Sequence, residues 1–393
     1  METNFGTKLT HLGTELKSGQ VGRPKIAPIV MSAAYFFDEP NNLEASLRHE
    51  IADYNYGRGG NATNDCAREI LTAIEGGAAA QVFATGMGGI SLTLMSLLSA
   101  GDHIILSSIV FGGTYNLLIN KLQKKYGVEV SIVDFRTENL EGYFKPNTKA
   151  VYMETISNPM LDVVDMRKVA ETAHKHNALL IVDNTFATPV VCQPLSLGAD
   201  LVVYSATKFM NGHSDILAGA VIGKDAGIMA QIEEDGHVFG PTMSPFDAFL
   251  FTRSLRTLEL RVRQHSLNAM QLARYFEANP KVVDVRYPGL ESSPYHKIAQ
   301  AQFNNGLYGG MVSIDVGSYE KAKEVIRNFK LVKLVASLGC LTTTVSDTRT
   351  SHSGMKAEER AKAGIGDGVL RVSVGLDNAE DVIADFAQAL EKI

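Results

Sequence analysis

From about residue 80, short apolar runs rich in β-branched residues alternate with longer segments whose apolar residues recur at helical spacing. This alternation predicts a parallel sheet covered by crossover helices, because parallel neighbours need a long connection between them. The predicted strands are Ala80–Ala84, His103–Ser107, Val128–Val133, Ala150–Glu154, Ala178–Asp183, Leu201–Ser205 and Gly219–Ile222. The predicted helices between them are Gly86–Ser99, Gly113–Tyr126 and Asp165–His176.

The pattern differs at both ends of the chain. Residues 1–60 lack the alternation and are predicted to form an extended arm with one short helix, of the kind that reaches a neighbouring subunit. A long amphipathic segment, Ser244–Asn279, begins with Ser–Pro, ends before Pro280 and predicts one long helix. The short strands and helices after it predict a smaller α+β domain. We therefore expect an arm (1–60), a main α/β domain (61–250) and a C-terminal α+β domain (251–393).

Composition narrows the class of protein. The chain has 393 residues, is 45% hydrophobic and 20% charged, and carries a formal net charge of -6, as ordinary globular proteins do. Lysines and arginines are scattered, so no nucleic-acid partner is expected. The three cysteines show no metal-ligand spacing, and no apolar run is long enough to cross a membrane. We expect a soluble, cytoplasmic enzyme that acts on small molecules and holds no metal.

Two predicted strands end in polar residues that suit one chemistry. One ends in Asp183-Asn184-Thr185 and the other in Ser205-Ala206-Thr207-Lys208. In open parallel sheets ligands bind at the carboxyl ends of strands, so Asp183 and Lys208 are expected to share a crevice. A lysine amine condenses with the aldehyde of pyridoxal 5′-phosphate, and a carboxylate keeps that cofactor's ring nitrogen protonated. The alternative is that Asp183 caps a turn and Lys208 is a solvated surface lysine.

A glycine-rich turn, Thr85-Gly86-Met87-Gly88-Gly89, joins a predicted strand to a helix. Free backbone amides at a helix N-terminus can cradle a phosphate, and the hydroxyls of Ser205 and Thr207 could join them. A nicotinamide-dependent oxidoreductase would use the same device. The run is G-x-G-G rather than G-x-G-x-x-G, however, and no acidic residue closes a second strand about 20 residues on, which disfavours that alternative.

Two arginines are candidate anion ligands. Arg58 lies among glycines in Tyr56-Gly57-Arg58-Gly59-Gly60, where its fork could bind a phosphate, although a flexible loop with an exposed charge is an equal alternative. Arg371 lies between apolar residues of a predicted strand and needs a carboxylate partner. That partner is either a substrate α-carboxylate or a buried residue of the protein itself.

Together these segments resemble the Cys/Met-metabolism family of pyridoxal-phosphate enzymes over nearly the whole chain. Nine segments match in order: Tyr56-Gly57-Arg58, Thr85-Gly86-Met87, Phe111-Gly112-Gly113-Thr114, Glu154-Thr155-Ile156-Ser157-Asn158-Pro159, Asp183-Asn184-Thr185, Ser205-Ala206-Thr207-Lys208-Phe209, Gly212-His213-Ser214-Asp215, Ser337-Leu338-Gly339 and Arg371-Val372-Ser373-Val374-Gly375. The resemblance implies an α/β fold of the aspartate-aminotransferase type (fold type I), with a mostly parallel sheet domain and a smaller α+β C-terminal domain.

The resemblance also implies a role for each candidate residue. Lys208 would bond to pyridoxal 5′-phosphate and act as the general base, Asp183 would pair with the ring nitrogen, and Phe111 would stack on the ring. The cofactor phosphate would be held by Gly86, Met87, Ser205 and Thr207, joined by Tyr56 and Arg58 of an adjacent subunit. The substrate α-carboxylate would be held by Asn158, Ser337 and Arg371. The family usually forms a homotetramer of two catalytic dimers with shared active sites.

The departures from the family concern the substrate. Phe111 stands where the family usually has a tyrosine whose phenol is thought to act as an acid, and losing a general acid typically costs about 10²–10⁴-fold in rate. Gly113 replaces a cysteine often seen in methionine γ-lyases, and Thr342 a glutamate of cystathionine-using relatives. The segment 343–352 lacks the usual His-Pro-Ala, and Asn61-Ala62-Thr63 replaces the common Asn-Pro-Thr.

The function expected is carbon–sulfur lysis by α,γ- or α,β-elimination on an amino acid such as methionine, homocysteine or cystathionine. The alternative is γ-replacement, as in O-acetylhomoserine sulfhydrylase or cystathionine γ-synthase. An activated ester leaves with little help from a general acid, so the presence of Phe111 in place of tyrosine would then be explained. A paralogue that binds the cofactor without turnover is a further alternative.

Overall fold

A seven-stranded sheet forms the centre of the computed structural model, which describes residues 3–13, 25–48, 50–51, 53–348 and 364–393. Its strands are β1 (Ala79–Phe83), β2 (His103–Ser107), β3 (Glu129–Val133), β4 (Thr148–Glu154), β5 (Leu179–Asp183), β6 (Leu201–Tyr204) and β7 (Gly219–Gly223). Their order is β1-β7-β6-β5-β4-β2-β3. Strands β2 to β6 pair in parallel, whereas β7 is antiparallel to both β1 and β6. The prediction of a mostly parallel sheet is confirmed.

Both faces of this sheet are covered, because successive residues of its strands are apolar. On β2, Ile104 and Leu106 lie in one buried cluster and Ile105 lies in the other. The side-chain period of two along a strand sends these neighbours to opposite faces, so a continuous apolar run requires cover on both sides. The α-helices of this half of the chain are Ala62–Glu75, Gly86–Leu97, Gly112–Asn116, Lys124–Tyr126, Met166–Lys175, Thr188–Val191 and Ala226–Phe239, and a π-helix spans Leu117–Gln123.

A second sheet lies in the C-terminal half. Its strands are β8 (Asp284–Arg286), β9 (Met311–Asp315), β10 (Lys333–Leu334), β11 (Thr344–Asp347) and β12 (Val369–Ser373), in the order β10-β11-β12-β9-β8. Its helices are Pro245–Leu255, Leu258–Glu277, His296–Gln302, Tyr319–Asn328 and Ala379–Leu390. The smaller α+β unit expected from the sequence is present. The predicted boundary between 250 and 251 stays a prediction, and it falls inside helix Pro245–Leu255.

Two expectations about helices were wrong in detail. The segment Ser244–Asn279 forms two helices rather than one, because the amides of Arg256 and Thr257 bond to carbonyls three residues earlier and break the regular ladder. The described part of the arm contains two short helices, Phe5–His11 and Pro40–Leu47, where one was expected. Within the described residues, no helix has both the length and the apolar character needed to cross a bilayer.

The turn that carries Lys208 is anchored by a buried arginine of helix Leu258–Glu277. Arg261 donates to the carbonyl of Phe209 at 2.8 Å, and to the carbonyls of Met210 and Ser254 at 3.0 and 2.9 Å. The Phe209 and Met210 carbonyls lie in a turn, and the Ser254 carbonyl lies near the end of helix Pro245–Leu255. A guanidinium has several donors in a fixed geometry and is well suited to bind all three. The helix that begins the C-terminal half therefore fixes the backbone next to Lys208.

We predict that Arg261→Leu lowers the free energy of unfolding by about 2–4 kcal/mol, because the buried carbonyls of Phe209 and Met210 lose the donor that Arg261 supplies. Arg263→Leu is the matched control, since Arg263 lies on the same helix with its side chain 47% exposed and contacts only Glu259 at 3.8 Å among the described ion pairs. Urea unfolding of both variants measures the difference. Equal midpoints for the two variants would show that Arg261 is not an anchor.

Candidate active site

A cavity of about 190 Å³ lies at the carboxyl ends of β4, β5 and β6, between the two sheets. The residues that line it are Gly86, Met87, Ile90, Phe111, Glu154, Ile156, Asn158, Asp183, Thr185, Phe186, Ser205, Lys208, Ala336, Ser337, Leu338 and Arg371. Nine of the twelve predicted site residues are among them. The alternative in which Lys208 is a solvated surface lysine is therefore excluded.

The amine of Lys208 lies on the floor of this cavity, just after β6. Its Nζ donates to the Ser337 hydroxyl at 2.8 Å, which joins the main sheet to a loop of the C-terminal half. Burial and the nearby positive charge of Arg371 lower the pKa of the Lys208 amine. A lysine with a lowered pKa is more often neutral, and a neutral amine can act as a nucleophile or a base.

Arg371 and Asn158 form a polar group opposite the lysine. Arg371 is 5% exposed, and its Nη1 and Nη2 donate to Asn158 Oδ1 at 3.0 Å and to the Ser337 carbonyl at 3.2 Å. Its Nε is buried and has no hydrogen-bond partner, and burial lowers the pKa of Arg371 to about 10. No carboxylate among the described residues forms an ion pair with it. A buried guanidinium in this condition is suited to bind a carboxylate from outside the chain.

Asp183 ends β5 and is buried at the edge of the cavity. Its Oδ1 accepts from the Thr185 amide at 3.0 Å, and its Oδ2 lies 3.5 Å from the Tyr152 hydroxyl. Burial raises the pKa of the Asp183 carboxyl, while the hydrogen bonds from Thr185 lower it. No ion pair to Asp183 is present among the described residues, so a positively charged group that enters the cavity would stabilise the ionised form of this carboxyl.

Helix Gly86–Leu97 points its N-terminus at the same cavity. Thr85 caps it by accepting from the Gly88 amide at 2.9 Å, so the amides of Gly86 and Met87 stand outside the intrahelical ladder. A Cβ placed on Gly86 would lie only 2.7 Å from Ser205 Cα, so the glycine allows these two segments to approach closely. The Ser205 hydroxyl and the free amides together form a site for an anion.

The Phe111 side chain is 41% exposed, lines the cavity and packs over Gly113. A Cβ placed on Gly113 would lie 2.5 Å from Phe111 Cε1 and 3.1 Å from Met87 Sδ. The two departures noted in the sequence are therefore linked, because the ring can lie here only while residue 113 has no side chain. No tyrosine is among the residues that line the cavity.

Three predicted residues do not reach the cavity of their own chain. Thr207 Oγ1 accepts from the Ala218 amide at 2.8 Å and lies 3.2 Å from the Ala218 carbonyl, so its hydroxyl serves the turn. Tyr56 and Arg58 lie together elsewhere, with the guanidinium 5.5 Å from the ring centroid and bonded to the His237 carbonyl. Their roles in phosphate binding stay predictions.

The sequence interpretation quoted Glu154 and Thr185 within matching segments but gave neither residue a role in the site. Both follow the rule that singled out Asp183, since Glu154 ends β4 and Thr185 comes two residues after β5 ends. Thr185 Oγ1 accepts from the Ser205 amide at 2.9 Å and so joins the two strand ends. The strand-end signal was present in the sequence, but only residues with an obvious role in cofactor chemistry were selected.

Pyridoxal 5′-phosphate fits this donor set. The cavity offers an amine for the aldehyde, a buried carboxyl for the ring nitrogen, an aromatic face and a cradle of free amides for the phosphate. The unpartnered Nε of Arg371 would meet the carboxylate of an amino acid. Among the described residues, no group of three or more His, Cys, Asp or Glu side chains is placed to hold a metal ion.

We predict that Gly86→Ala weakens the binding of pyridoxal 5′-phosphate by at least about tenfold, because the methyl group separates the helix N-terminus from Ser205. Gly142→Ala is the control, since a Cβ there meets no atom within 4 Å. Fluorescence titration of cofactor-free protein measures both affinities. If Gly86→Ala binds as tightly as the control, the phosphate cradle lies elsewhere.

The chain is similar over its full length to curated enzymes of sulfur amino acids. It is 40% identical to L-methionine gamma-lyase from Fusobacterium nucleatum subsp. polymorphum, covering 100% of each chain. It is 38% identical to cystathionine beta-lyase from Lactococcus lactis subsp. cremoris, covering 99% of this chain and 100% of the relative. These relatives are lyases, which is the class of activity expected from the sequence.

The fold and the cofactor have counterparts in a solved structure. An O-acetylhomoserine (thiol)-lyase structure from Campylobacter jejuni superposes with a TM-score of 0.94 at 30% identity, covering 99% of this chain and 100% of that one. It contains N′-pyridoxyl-lysine-5′-monophosphate, a lysine joined to the cofactor. The family model for Cys/Met metabolism PLP-dependent enzymes matches residues 6–391. The expected fold type and cofactor are confirmed, and the chain belongs to the Cys/Met-metabolism family of pyridoxal-phosphate-dependent enzymes.

Proposed function

We propose that this enzyme cleaves a carbon–sulfur bond of an amino acid by α,γ- or α,β-elimination, with Lys208 as the general base. The substrates proposed are methionine, homocysteine or cystathionine, and the products are a thiol, ammonia and a 2-oxo acid. One water is consumed for each substrate. The similarity to methionine gamma-lyase and cystathionine beta-lyase supports this class of reaction.

The observation that carries the proposal is the placement of Lys208 opposite Arg371 in one cavity. The two cationic groups lie close enough for Arg371 to lower the pKa of the lysine amine, and both contact Ser337. A substrate carboxylate bound to Arg371 and Asn158 would place the α-carbon of an amino acid near the amine. This arrangement favours removal of the proton from the α-carbon, which an elimination requires before the leaving group departs.

When bound, pyridoxal phosphate supplies an aldehyde that joins to amino groups and a protonated ring that accepts an electron pair from the substrate α-carbon. Asp183 holds the proton on the ring nitrogen, because a buried carboxylate is stabilised by the positive charge opposite it. The neutral Lys208 amine takes the α-proton and can return it at a neighbouring carbon. Arg371 and Asn158 orient the substrate, and Phe111 covers the site.

A second candidate function is γ-replacement, and Phe111 favours it. None of the described residues that line the cavity of one chain is a tyrosine, so no phenol of the same chain is placed there to protonate a leaving thiolate. An acetate or similar group leaves without such help, so an O-acylated substrate would suit this wall. The similarity to the O-acetylhomoserine (thiol)-lyase structure supports this alternative.

We also propose that Tyr56 and Arg58 act on the active site of a neighbouring subunit in a homotetramer. Arg58 caps the C-terminal end of helix Ala226–Phe239 through the His237 carbonyl, and His237 Nε2 lies 2.8 Å from the Gly59 carbonyl. These contacts hold the loop at the surface, away from the Lys208 cavity of the same chain.

The three free cysteines are compatible with the proposed cytoplasmic location.

Product analysis by mass spectrometry distinguishes elimination from replacement. We expect cofactor-loaded protein to release 2-oxobutyrate from methionine or homocysteine, or pyruvate from cystathionine, without an added nucleophile. Lys208→Ala should lose this activity by at least about 10³-fold, since a general base and the covalent attachment are both removed. Homocysteine formed only from O-acetylhomoserine plus sulfide would instead establish the replacement function.

Mixing two inactive variants tests the shared site. Lys208→Ala and Arg58→Ala protomers, unfolded and refolded together, should regain activity up to about a quarter of the unmixed native value, because half of the dimers then contain one intact site. Each variant refolded alone is the control. If the mixture stays as inactive as its components, Arg58 does not act across a subunit boundary.

A further inference from the structure

Glu154 lies at the centre of the site but has no part in the roles described so far. It is the last residue of β4, and its register partner on β5 is Asp183. Register partners in a parallel pair point to the same face, and both residues line the cavity with Lys208. Two carboxyl groups therefore stand side by side at the carboxyl end of the sheet.

The Glu154 carboxylate joins two loops that leave different strands. Its Oε1 accepts from the Phe111 amide at 2.6 Å, a short bond of the kind made by a charged acceptor. The backbone amide of Asn158 is a second donor to the same carboxylate. The loop after β2, called the Phe111 loop, presents the aromatic ring. The loop after β4, called the Asn158 loop, presents Asn158, whose Oδ1 accepts from Arg371.

The surroundings of Glu154 shift the pKa of its carboxyl in opposite directions. Burial raises its pKa well above the ordinary value, and the neighbouring Asp183 raises it further, while the amides of Phe111 and Asn158 lower it. Both backbone amides would lose this acceptor if the side chain were removed. Amides that lose a charged acceptor destabilise the local arrangement, so the loops would move to find water or another acceptor.

We propose that Glu154 is a positioning residue, which holds the Phe111 loop and the Asn158 loop together across the mouth of the cavity. The Phe111 ring, which covers the cofactor, and the Asn158 side chain, which completes the carboxylate clamp, are then aligned with one another. Gly113 makes this alignment possible on the other side of the ring, because a side chain there would displace Phe111 from its place. The proposal rests on the roles proposed above for Phe111, Asn158 and Arg371.

Glu154→Gln and Glu154→Ala test the proposal in full-length, cofactor-loaded protein. The glutamine keeps one oxygen acceptor for two amides, and the alanine keeps none. We expect the visible circular dichroism of the bound cofactor to weaken in the order native, glutamine, alanine. We also expect kcat/KM to fall by about tenfold to hundredfold in Glu154→Ala, in line with the loss of one or two hydrogen bonds to a charged acceptor.

Glycine binding, followed by the visible absorbance change, separates this proposal from the proposed function. Glycine has a carboxylate but no leaving group, so its affinity reports on the Asn158 and Arg371 clamp whichever reaction the enzyme performs. We expect Glu154→Ala to bind glycine at least about tenfold more weakly than the native protein. The control is Glu129→Gln on β3, an exposed residue paired with Lys145, which should leave each of these measurements unchanged.

A purely structural role would lower thermal stability without changing the cofactor signal of the folded protein. If Glu154→Ala does not fold, Glu154→Gln decides the matter. Native circular dichroism and glycine affinity in the glutamine variant would then overturn the proposal. A changed cofactor signal in a variant that still melts near the native temperature would support it, even if the product analysis shows no carbon–sulfur lysis.

Discussion

The hydrogen bond between the Lys208 amine and the Ser337 hydroxyl is the contact on which the site depends. It is 2.8 Å long and joins the turn after β6 to a loop of the smaller sheet. The Ser337 carbonyl also accepts a hydrogen bond from Arg371 on β12, so the amine and the guanidinium both bind to one residue. Burial and the positive charge of Arg371 lower the pKa of the Lys208 amine, and the same guanidinium is available to bind a substrate carboxylate. The base and the substrate clamp are thus set by one small group of contacts.

The rest of the main sheet serves to bring further residues to this contact. Because β4, β5 and β6 are parallel neighbours, their last residues meet at one edge, and Glu154, Asp183 and Lys208 come together there. The close approach of Gly86 to Ser205 brings the N-terminus of a helix to the same edge. Arg261, from the C-terminal half, fixes the backbone just after Lys208. The cavity is therefore built from elements far apart in the sequence, each held by a local hydrogen bond.

Much of this arrangement could be predicted from the sequence. The strands were placed within about two residues because their apolar runs are continuous and are bounded by polar or glycine-rich turns, and the rule for strand ends brought Asp183 and Lys208 together. The prediction failed where tertiary contacts decide. The break near Arg256 has no proline or glycine to signal it, and the link between Phe111 and Gly113 depends on a ring position that spacing does not show. Part of the atypical segment 343–352 lies outside the described residues.

The most direct test of this account is to reduce the cofactor-loaded protein with borohydride and map the modified peptide by mass spectrometry. We expect one pyridoxyl-phosphate group per chain, on Lys208, because its amine lies in the cavity with Asp183 and Arg371. Modification of a different lysine, with Lys208 left free, would contradict it and would move the active site away from the Lys208–Ser337 contact.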